Sequence, residues 1–228
     1  MVPLGLHSRC ALDTLGHMTI ANAYLSAAGS AEALLRDPAV GARWAEPSAL
    51  KYFTVGGLAA HLGRQVLSVP EALAAPVPDG VPIGLLDHYS RSAWANEDLE
   101  GEVNVAIRSR GEDSAAEGPE ALVANVSAMV EKLRTEFDGG PLPEVVGLPW
   151  TGWSLTFDDF LTTRLLELVI HSDDLAVSVG VETPVLPASA IEPVVDLLTR
   201  ISMQRHGQAA VLRALSRSER APESVSAF

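Results

Sequence analysis

The stretch that decides the fold is residues 156–180, TFDDFLTTRLLELVIHSDDLAVSVG. Its apolar residues recur every three or four positions, which is the spacing of one face of an α-helix; they are Phe157, Leu161, Leu165, Leu168, Leu175 and Val179. Thr156 followed by two acidic residues is typical of a helix start. Gly180 is typical of the position just after a helix ends. The stretch therefore predicts one long helix with an apolar face turned towards a core.

The same periodicity recurs along the chain, so the predicted fold class is mainly α. Helices are expected at residues 18–37, 54–69, 85–97, 118–137 and 189–206. Residues 98–118 are mixed and polar and predict no element. Residues 144–155 have an extended pattern, which favours a short β-hairpin. The helix lengths fit an antiparallel four-helix bundle with an extra C-terminal helix.

The composition is that of an acidic globular protein. Of 228 residues, 47% are hydrophobic and 20% are charged, and the formal net charge is −13. Nucleic acids and anionic membranes attract proteins through Lys and Arg, so neither is an expected partner. The single cysteine, Cys10, excludes an intrachain disulfide, and no apolar run is long enough to span a membrane. We therefore expect a cytoplasmic protein, and the 14 Arg against 2 Lys indicate a GC-rich bacterial genome.

Three residues have the chemistry and the spacing of a metal site. Glu167 and His171 stand four residues apart on a predicted helix, so their side chains are neighbours at the edge of its apolar face. His61, in residues 53–62, FTVGGLAAHL, lies at the same kind of edge on another predicted helix. Two imidazoles and one carboxylate, with one free coordination position, are a usual ligand set of catalytic zinc. The alternative is that the three residues only form hydrogen bonds at the boundary of the core.

Two motifs carry a resemblance to a known family. The first motif comprises Trp44, Pro47, Ser48 and residues 53–62, and the second is residues 161–176, LTTRLLELVIHSDDLA. In content and order they resemble the mycothiol-dependent maleylpyruvate isomerase N-terminal family. The resemblance covers about residues 18–180, and the family belongs to the DinB-like four-helix metalloproteins. It implies a divalent metal, most often zinc, bound by His61, Glu167 and His171. It also implies mycothiol as the cosubstrate, and a homodimer.

The resemblance sets the expected domain organisation. Residues 1–17 are expected to be a leader or a start-site extension, residues 18–180 a DinB-like metal-binding helical bundle, and residues 181–228 a C-terminal helix and tail packed on the bundle. Maleylpyruvate isomerases of the family carry a further C-terminal domain, whereas only about 48 residues follow Gly180. Phe53 also stands where the family usually has Trp. A more general thiol chemistry is therefore expected than maleylpyruvate isomerisation alone.

The expected function is that of a metal-dependent thiol transferase. In this hypothesis mycothiol binds zinc as a thiolate and attacks a small electrophilic substrate, in an S-transfer, a thiol exchange or a maleylpyruvate-type isomerisation. Coordination to a metal ion deprotonates a thiol, so no protein side chain is expected to be the nucleophile. The alternative is a non-catalytic metal-dependent protein that binds a thiol or another small molecule.

Four residues near these motifs have two interpretations each. Asp174 either orients a metal ligand or is a solvated acid near a helix end. Arg164 either binds a substrate carboxylate or forms an internal salt bridge. Trp150 and Trp153 either line the mouth of a pocket or, in the favoured interpretation, pack over the end of the bundle. His88 and His206 have no His, Cys or carboxylate at the spacing of a metal site. They are therefore expected to be ordinary helix residues.

Overall fold

The computed structural model describes the backbone of residues 7–228 and the side chains of residues 20–228. The expected extension at residues 1–17, with Cys10, lies outside the residues whose side chains are described, and the domain boundaries stay predictions. In chain order the elements are α1 (His7–Leu35), α2 (Pro38–Ala42), α3 (Val55–Leu67), α4 (Val69–Ala74), α5 (Leu85–Arg91), α6 (Ala93–Asn96), α7 (Glu102–Ala115), α8 (Pro119–Gly139), β1 (Val145–Gly147), β2 (Ser154–Thr156), α9 (Phe157–Val179), α10 (Ala188–His206), α11 (Gln208–Ser216) and a 3₁₀ turn (Ser218–Arg220).

Four helices form the centre of the fold. Helix α1 packs against α8 and α9, and α3 packs against the same two helices. Helix α7 lies along α3, and α10 contacts both α1 and α9. The predicted mainly α fold is thus confirmed, and α3 and α9, which carry the candidate ligands, are in direct contact. Within the described residues, no helix has both the length and the apolar character needed to cross a membrane.

Helix α9 begins and ends where its sequence predicts. The Thr156 hydroxyl accepts a hydrogen bond from the Asp159 amide at 3.1 Å, which satisfies one of the free N–H groups of the first turn. Gly180 has a φ of 74°, in the left-handed region that ends many helices. The predicted apolar face is buried along its whole length. Each large side chain buried there contributes about 1.5–3 kcal/mol, so this face fixes the rotation of α9 about its axis and the direction of its polar edge.

The predicted hairpin is also present, directly before α9. Strands β1 and β2 pair antiparallel, with Val146 opposite Leu155, and both of these side chains are buried. Trp150 and Trp153 lie in the connection between the two strands. The hairpin therefore carries both tryptophans to the end of the bundle where α9 begins.

Helix α7 occupies a segment for which the sequence predicts no element. Its buried residues are Gly111 and Ala115. A Cβ on Gly111 would lie 2.9 Å from the carbonyl oxygen of Gly57, so α7 and α3 meet backbone against backbone. Glu112 then accepts hydrogen bonds from the amide and the hydroxyl of Thr54, at 2.9 and 2.8 Å, where α3 begins. Besides these contacts, Ile107 packs against the core. The inward face of α7 combines Val103 and Ile107 with two small residues, so its apolar periodicity is weak.

Three smaller features differ from the sequence predictions. The helix expected at residues 85–97 is divided into α5 and α6 at Ser92, whose hydroxyl donates to the His88 carbonyl oxygen at 2.7 Å. The first helix starts earlier than residue 18, at His7. A separate helix, α11, follows Gly207, where the sequence predicted only a tail after one long helix.

Candidate metal centre

The fold brings His61, Glu167 and His171 together on the wall of one cleft. One ligand atom of each residue lies within 4.8 Å of those of the other two. The Oε2 atom of Glu167 is 3.2 Å from Nε2 of His171 and 3.7 Å from Nε2 of His61. The two imidazole rings meet edge to face, with their centroids 4.8 Å apart. The three residues selected from the sequence therefore converge through their ligand atoms, from α3 and α9.

The geometry fits a small divalent metal ion. Ligand atoms about 2.1 Å from a tetrahedral zinc lie about 3.4 Å from one another. The two Glu167 distances, 3.2 and 3.7 Å, are close to this value. The three side chains are only 13–16% exposed, and all three residues line the cleft. Two imidazole nitrogens and one carboxylate oxygen are donors that suit zinc and its neighbours among the transition metals. The residues present thus fit the metal that the sequence predicted.

Asp174 lies on the far side of His171 from the other two ligands. Its Oδ2 is 2.9 Å from Nδ1 of His171. A carboxylate only accepts hydrogen bonds, so Nδ1 carries a proton in this contact, while Nε2 faces the Glu167 carboxylate at 3.2 Å. A metal-binding histidine is commonly oriented in this way by a carboxylate. Of the two interpretations of Asp174, the structure places it in the position to orient a ligand.

Burial and hydrogen bonding set the charges of the three candidate ligands. Burial disfavours the charged form of Glu167, but hydrogen bonds with His171 and His61 outweigh it and hold the Glu167 pKa well below its usual value. Burial also disfavours a charge on His171, but hydrogen bonds with Asp174 and Glu167 outweigh it and raise the pKa of His171 to about 9. Burial lowers the pKa of His61. Without a metal ion the centre therefore presents the Glu167 carboxylate, a protonated His171 and a neutral His61 at neutral pH, so a metal ion that binds Nε2 of His171 must displace its proton.

Arg164 lies beside the centre and is held by neutral partners. Its Nη1 donates to Oε1 of Gln65 at 2.7 Å, and its Nε donates to the Thr163 hydroxyl at 3.2 Å. Its guanidinium also lies 5.9 Å from the centroid of the Trp150 ring. No carboxylate of the described side chains lies within 4.0 Å of Arg164, so the internal salt bridge is not formed there. Arg164 lines the same cleft as the candidate ligands.

The cleft has a volume of about 1680 Å³, large enough for two small molecules at once. Several aromatic residues line it, among them Tyr89, Trp94, Trp150, Trp153 and Phe228. Both tryptophans of the hairpin therefore line the cleft, which was the less favoured of their two interpretations. The C-terminal residues also reach it, because the carbonyl oxygens of Val225 and Ala227 accept hydrogen bonds from side chains of α10.

His88 is part of the cleft wall and was not predicted from the sequence. It is 3% exposed, and its Nδ1 accepts a hydrogen bond from the indole nitrogen of Trp153 at 3.1 Å. Burial and the positive charge of Arg164 lower the pKa of His88 to about 4, so it is neutral in the folded protein. Residue spacing along the sequence could not indicate this role, because the hydrogen-bond partner of His88 is Trp153, which lies on the hairpin. His206, in contrast, is exposed and bonds to the Ser226 carbonyl oxygen at 2.7 Å.

Comparison with known protein families agrees with this geometry. A family model described as the mycothiol maleylpyruvate isomerase N-terminal domain matches residues 25–176, which is more than half of the chain. The chain belongs to this family. The matched range contains all three candidate ligands and Asp174, whereas α10 and α11 lie beyond it. Comparisons of this family member with curated proteins and with solved structures found no match.

Proposed function

We propose that this member of the mycothiol maleylpyruvate isomerase N-terminal family is a metal-dependent thiol transferase. In the proposed reaction mycothiol adds to a small electrophile, by S-transfer, thiol exchange or a maleylpyruvate-type isomerisation. The observation that supports it best is the convergence of His61, Glu167 and His171 within 4.8 Å on the wall of a cleft of about 1680 Å³. The site has three protein ligands and open space beside them, which is the arrangement of a catalytic rather than a structural metal site.

The proposed metal is zinc, and His61, Glu167 and His171 would hold it. When bound, the ion would lower the pKa of a thiol that reaches it, which supplies a thiolate at neutral pH. Asp174 keeps the Nδ1 proton of His171 in place, so that Nε2 stays directed towards the ligand cluster. Glu167 stays ionised and contributes the one negative charge among the three ligands.

The cleft residues would bind and orient the two reactants. Gln65 is 2% exposed, and its side-chain nitrogen donates to the His61 carbonyl oxygen at 3.0 Å while its Oε1 accepts from Arg164. One buried side chain thus sets the position of Arg164 relative to a ligand-bearing turn of α3. We propose that Arg164 binds an oxygen of the electrophile. The aromatic wall near Trp150 would exclude water from the reacting atoms.

Metal content and turnover test the proposal separately. Wild type and the variants His61→Ala and His171→Ala are loaded with zinc, desalted and assayed by elemental analysis. Wild type is expected to retain about one zinc per chain and each variant much less, because a three-ligand site loses affinity steeply with each ligand. His206→Ala, an exposed histidine away from the cluster, is the matched control. Variants that retain zinc as wild type does would show that the ligand assignment is wrong.

The transferase step is tested with mycothiol and monobromobimane as the electrophile. Zinc-loaded wild type is expected to accelerate bimane labelling above the uncatalysed rate, and the His61→Ala variant is not. Binding of mycothiol without any acceleration would instead identify a non-catalytic thiol-binding protein.

A further inference from the structure

His88 is a cleft histidine outside the metal centre, and its ring is held in one orientation. It lines the same cleft as His61 and His171 and is itself buried. Its ring packs edge to face against two aromatic rings, with centroid distances of 5.1 Å to Tyr89 and 5.9 Å to Trp153. Because these contacts come from α5 and from the hairpin, they restrict the rotation of the imidazole, and each ring nitrogen keeps a fixed direction.

The hydrogen bond with Trp153 decides which nitrogen of His88 carries the proton. An indole N–H only donates, so Nδ1 of His88, 3.1 Å from it, is the unprotonated nitrogen. A neutral imidazole then carries its one proton on Nε2. A second proton, on Nδ1, would set two N–H groups against each other, so the same contact disfavours the charged ring. Neither nitrogen is therefore free to take a proton from a reactant, and His88 is a neutral donor.

The Nε2–H group of His88 lacks an acceptor in the part of the protein whose side chains are described. The hydrogen bond to Trp153 uses Nδ1, and Nε2 forms none with these residues. Unlike the Tyr89 hydroxyl, which is both unpaired and fully enclosed, Nε2 keeps some accessible surface. Since the ring is otherwise packed and lines the cleft, this surface faces the cleft. A buried donor without a partner costs free energy, which an acceptor on a bound molecule would recover.

The surroundings of His88 place this donor beside the metal centre. The charges of Arg164 and Glu167 both act on the imidazole, so it lies close enough to share a bound molecule with them. Donors that are fixed before the reaction begins stabilise negative charge that develops on an oxygen atom. A neutral imidazole can polarise a carbonyl oxygen in this way.

We propose that His88 is a further catalytic residue, which donates from Nε2 to a carbonyl oxygen of the electrophile while the thiolate adds to it. The catalytic role rests on the proposed function, whereas the tautomer of His88 does not. In the assisted step the sulfur bonds to the outer carbon of an alkene conjugated with the carbonyl. The alkene π pair forms the new C=C bond of an enolate, and the carbonyl π pair moves onto the oxygen that Nε2–H faces. The proton that the thiol released then adds to the inner carbon, which restores the carbonyl.

The tautomer is tested without turnover by ¹⁵N NMR of protein labelled at histidine. Comparison with His88→Gln assigns the His88 signals. We expect Nε2 to be protonated and Nδ1 to be unprotonated at pH 7, with and without zinc. Trp153→Phe removes the indole donor and is expected to let the other tautomer appear. Protonation of Nδ1 in wild type would overturn the proposal.

The catalytic role is tested with mycothiol and two small electrophiles, acrylamide and iodoacetamide, which both carry a primary amide. Addition to acrylamide puts negative charge on the amide oxygen, whereas in iodoacetamide the charge leaves with iodide. In His88→Leu the ratio of kcat/KM for acrylamide to that for iodoacetamide is expected to fall at least about tenfold, as for the loss of one fixed donor. Zinc content is measured alongside and is expected to match wild type, because His88 is not a ligand. An unchanged ratio would show that His88 has only a structural role.

His88→Gln distinguishes a donor from a general base. Glutamine can accept from Trp153 and still donate an N–H, but it cannot take up a proton at neutral pH. This variant is therefore expected to keep a ratio much closer to wild type than His88→Leu does, and a ratio as low as that of His88→Leu would contradict the proposal. No turnover of either electrophile by wild type would refute the transferase function and with it the catalytic role, while the NMR result on the tautomer would stand.

Discussion

The Nδ1 atom of His171 lies 2.9 Å from Oδ2 of Asp174, on the opposite side of the ring from Glu167. This contact keeps a proton on Nδ1 and orients the ring of a candidate ligand. Asp174→Asn is therefore expected to weaken zinc binding by about 10–100-fold while leaving the fold intact. Competition with a fluorescent chelator measures the change. Asp173→Asn is the matched control, because Asp173 binds the Thr183 hydroxyl instead and is not part of the cleft wall. Equal losses in both variants would remove Asp174 from the metal centre.

Zinc is expected to stabilise the folded chain through its three ligands. Because His61 and the α9 pair are brought together only by folding, the ion binds the folded state in preference to the unfolded one. At a free zinc concentration of about 100 Kd the gain is about 2.7 kcal/mol. Urea unfolding with zinc and with EDTA measures it, and the gain should disappear in His171→Ala. A bundle that is indifferent to chelator in both proteins would support the hydrogen-bonding interpretation of the three residues.

His88 is expected to make stability depend on pH. Its folded pKa of about 4 lies below the unfolded value near 6.5, so the neutral form is the one that folding favours. Its contribution is therefore complete above pH 6.5 and is lost as the pH falls towards 4. A shift of this size corresponds to roughly 3 kcal/mol.

The comparison of wild type with His88→Gln isolates this contribution from the carboxylates that titrate in the same range. Glutamine keeps an acceptor for the Trp153 indole and does not titrate. The difference in unfolding free energy between the two proteins is expected to shrink as the pH falls from 7 to 4. A constant difference across that range would mean that His88 does not titrate in this way.

Gly111→Ala is expected to separate α7 from α3. The added Cβ would lie 2.9 Å from the Gly57 carbonyl oxygen, and backbone cannot yield as a flexible side chain does. We expect a loss of about 1–3 kcal/mol in unfolding free energy. Gly139→Ala is the control, since nothing lies within 4 Å of its new Cβ and alanine favours a helix. If both variants are as stable as wild type, the two helices are not in rigid contact.

Local patterns predicted α9 and its ligands because the information lies within one helix. The apolar face, the Thr156 cap and Gly180 are all read from consecutive residues, and Glu167 and His171 are neighbours on that helix. His61 also followed from its place beside an apolar face. His61 and Glu167 lie on different helices, so the sequence pattern identified His61 only as a candidate ligand. The family resemblance indicated that it shares a metal site with Glu167 and His171.

The rest of the cleft depends on contacts that no local pattern contains. The partner of His88 is Trp153, on the hairpin, and the partner of Arg164 is Gln65, on another helix. Helix α7 has only a weak apolar stripe, because its buried residues, Gly111 and Ala115, are small. For these residues only the assembled fold shows which side chains face one another.

The way in which α7 is attached has a consequence for access to the cleft. Helix α7 is held by two buried small residues, by the partly buried Ile107 and by the Glu112 cap. It therefore buries little apolar surface, and its local unfolding free energy should be among the lowest of the longer helices. The part of the cleft wall that α7 forms can then open while the bundle under the metal ligands stays closed. Amides of α7 are expected to exchange with deuterium earlier than those of α3 and α9. Bulky reactants would thus enter the cleft between α3 and α7 when α7 opens, and the positions of His61, Glu167 and His171 would stay unchanged.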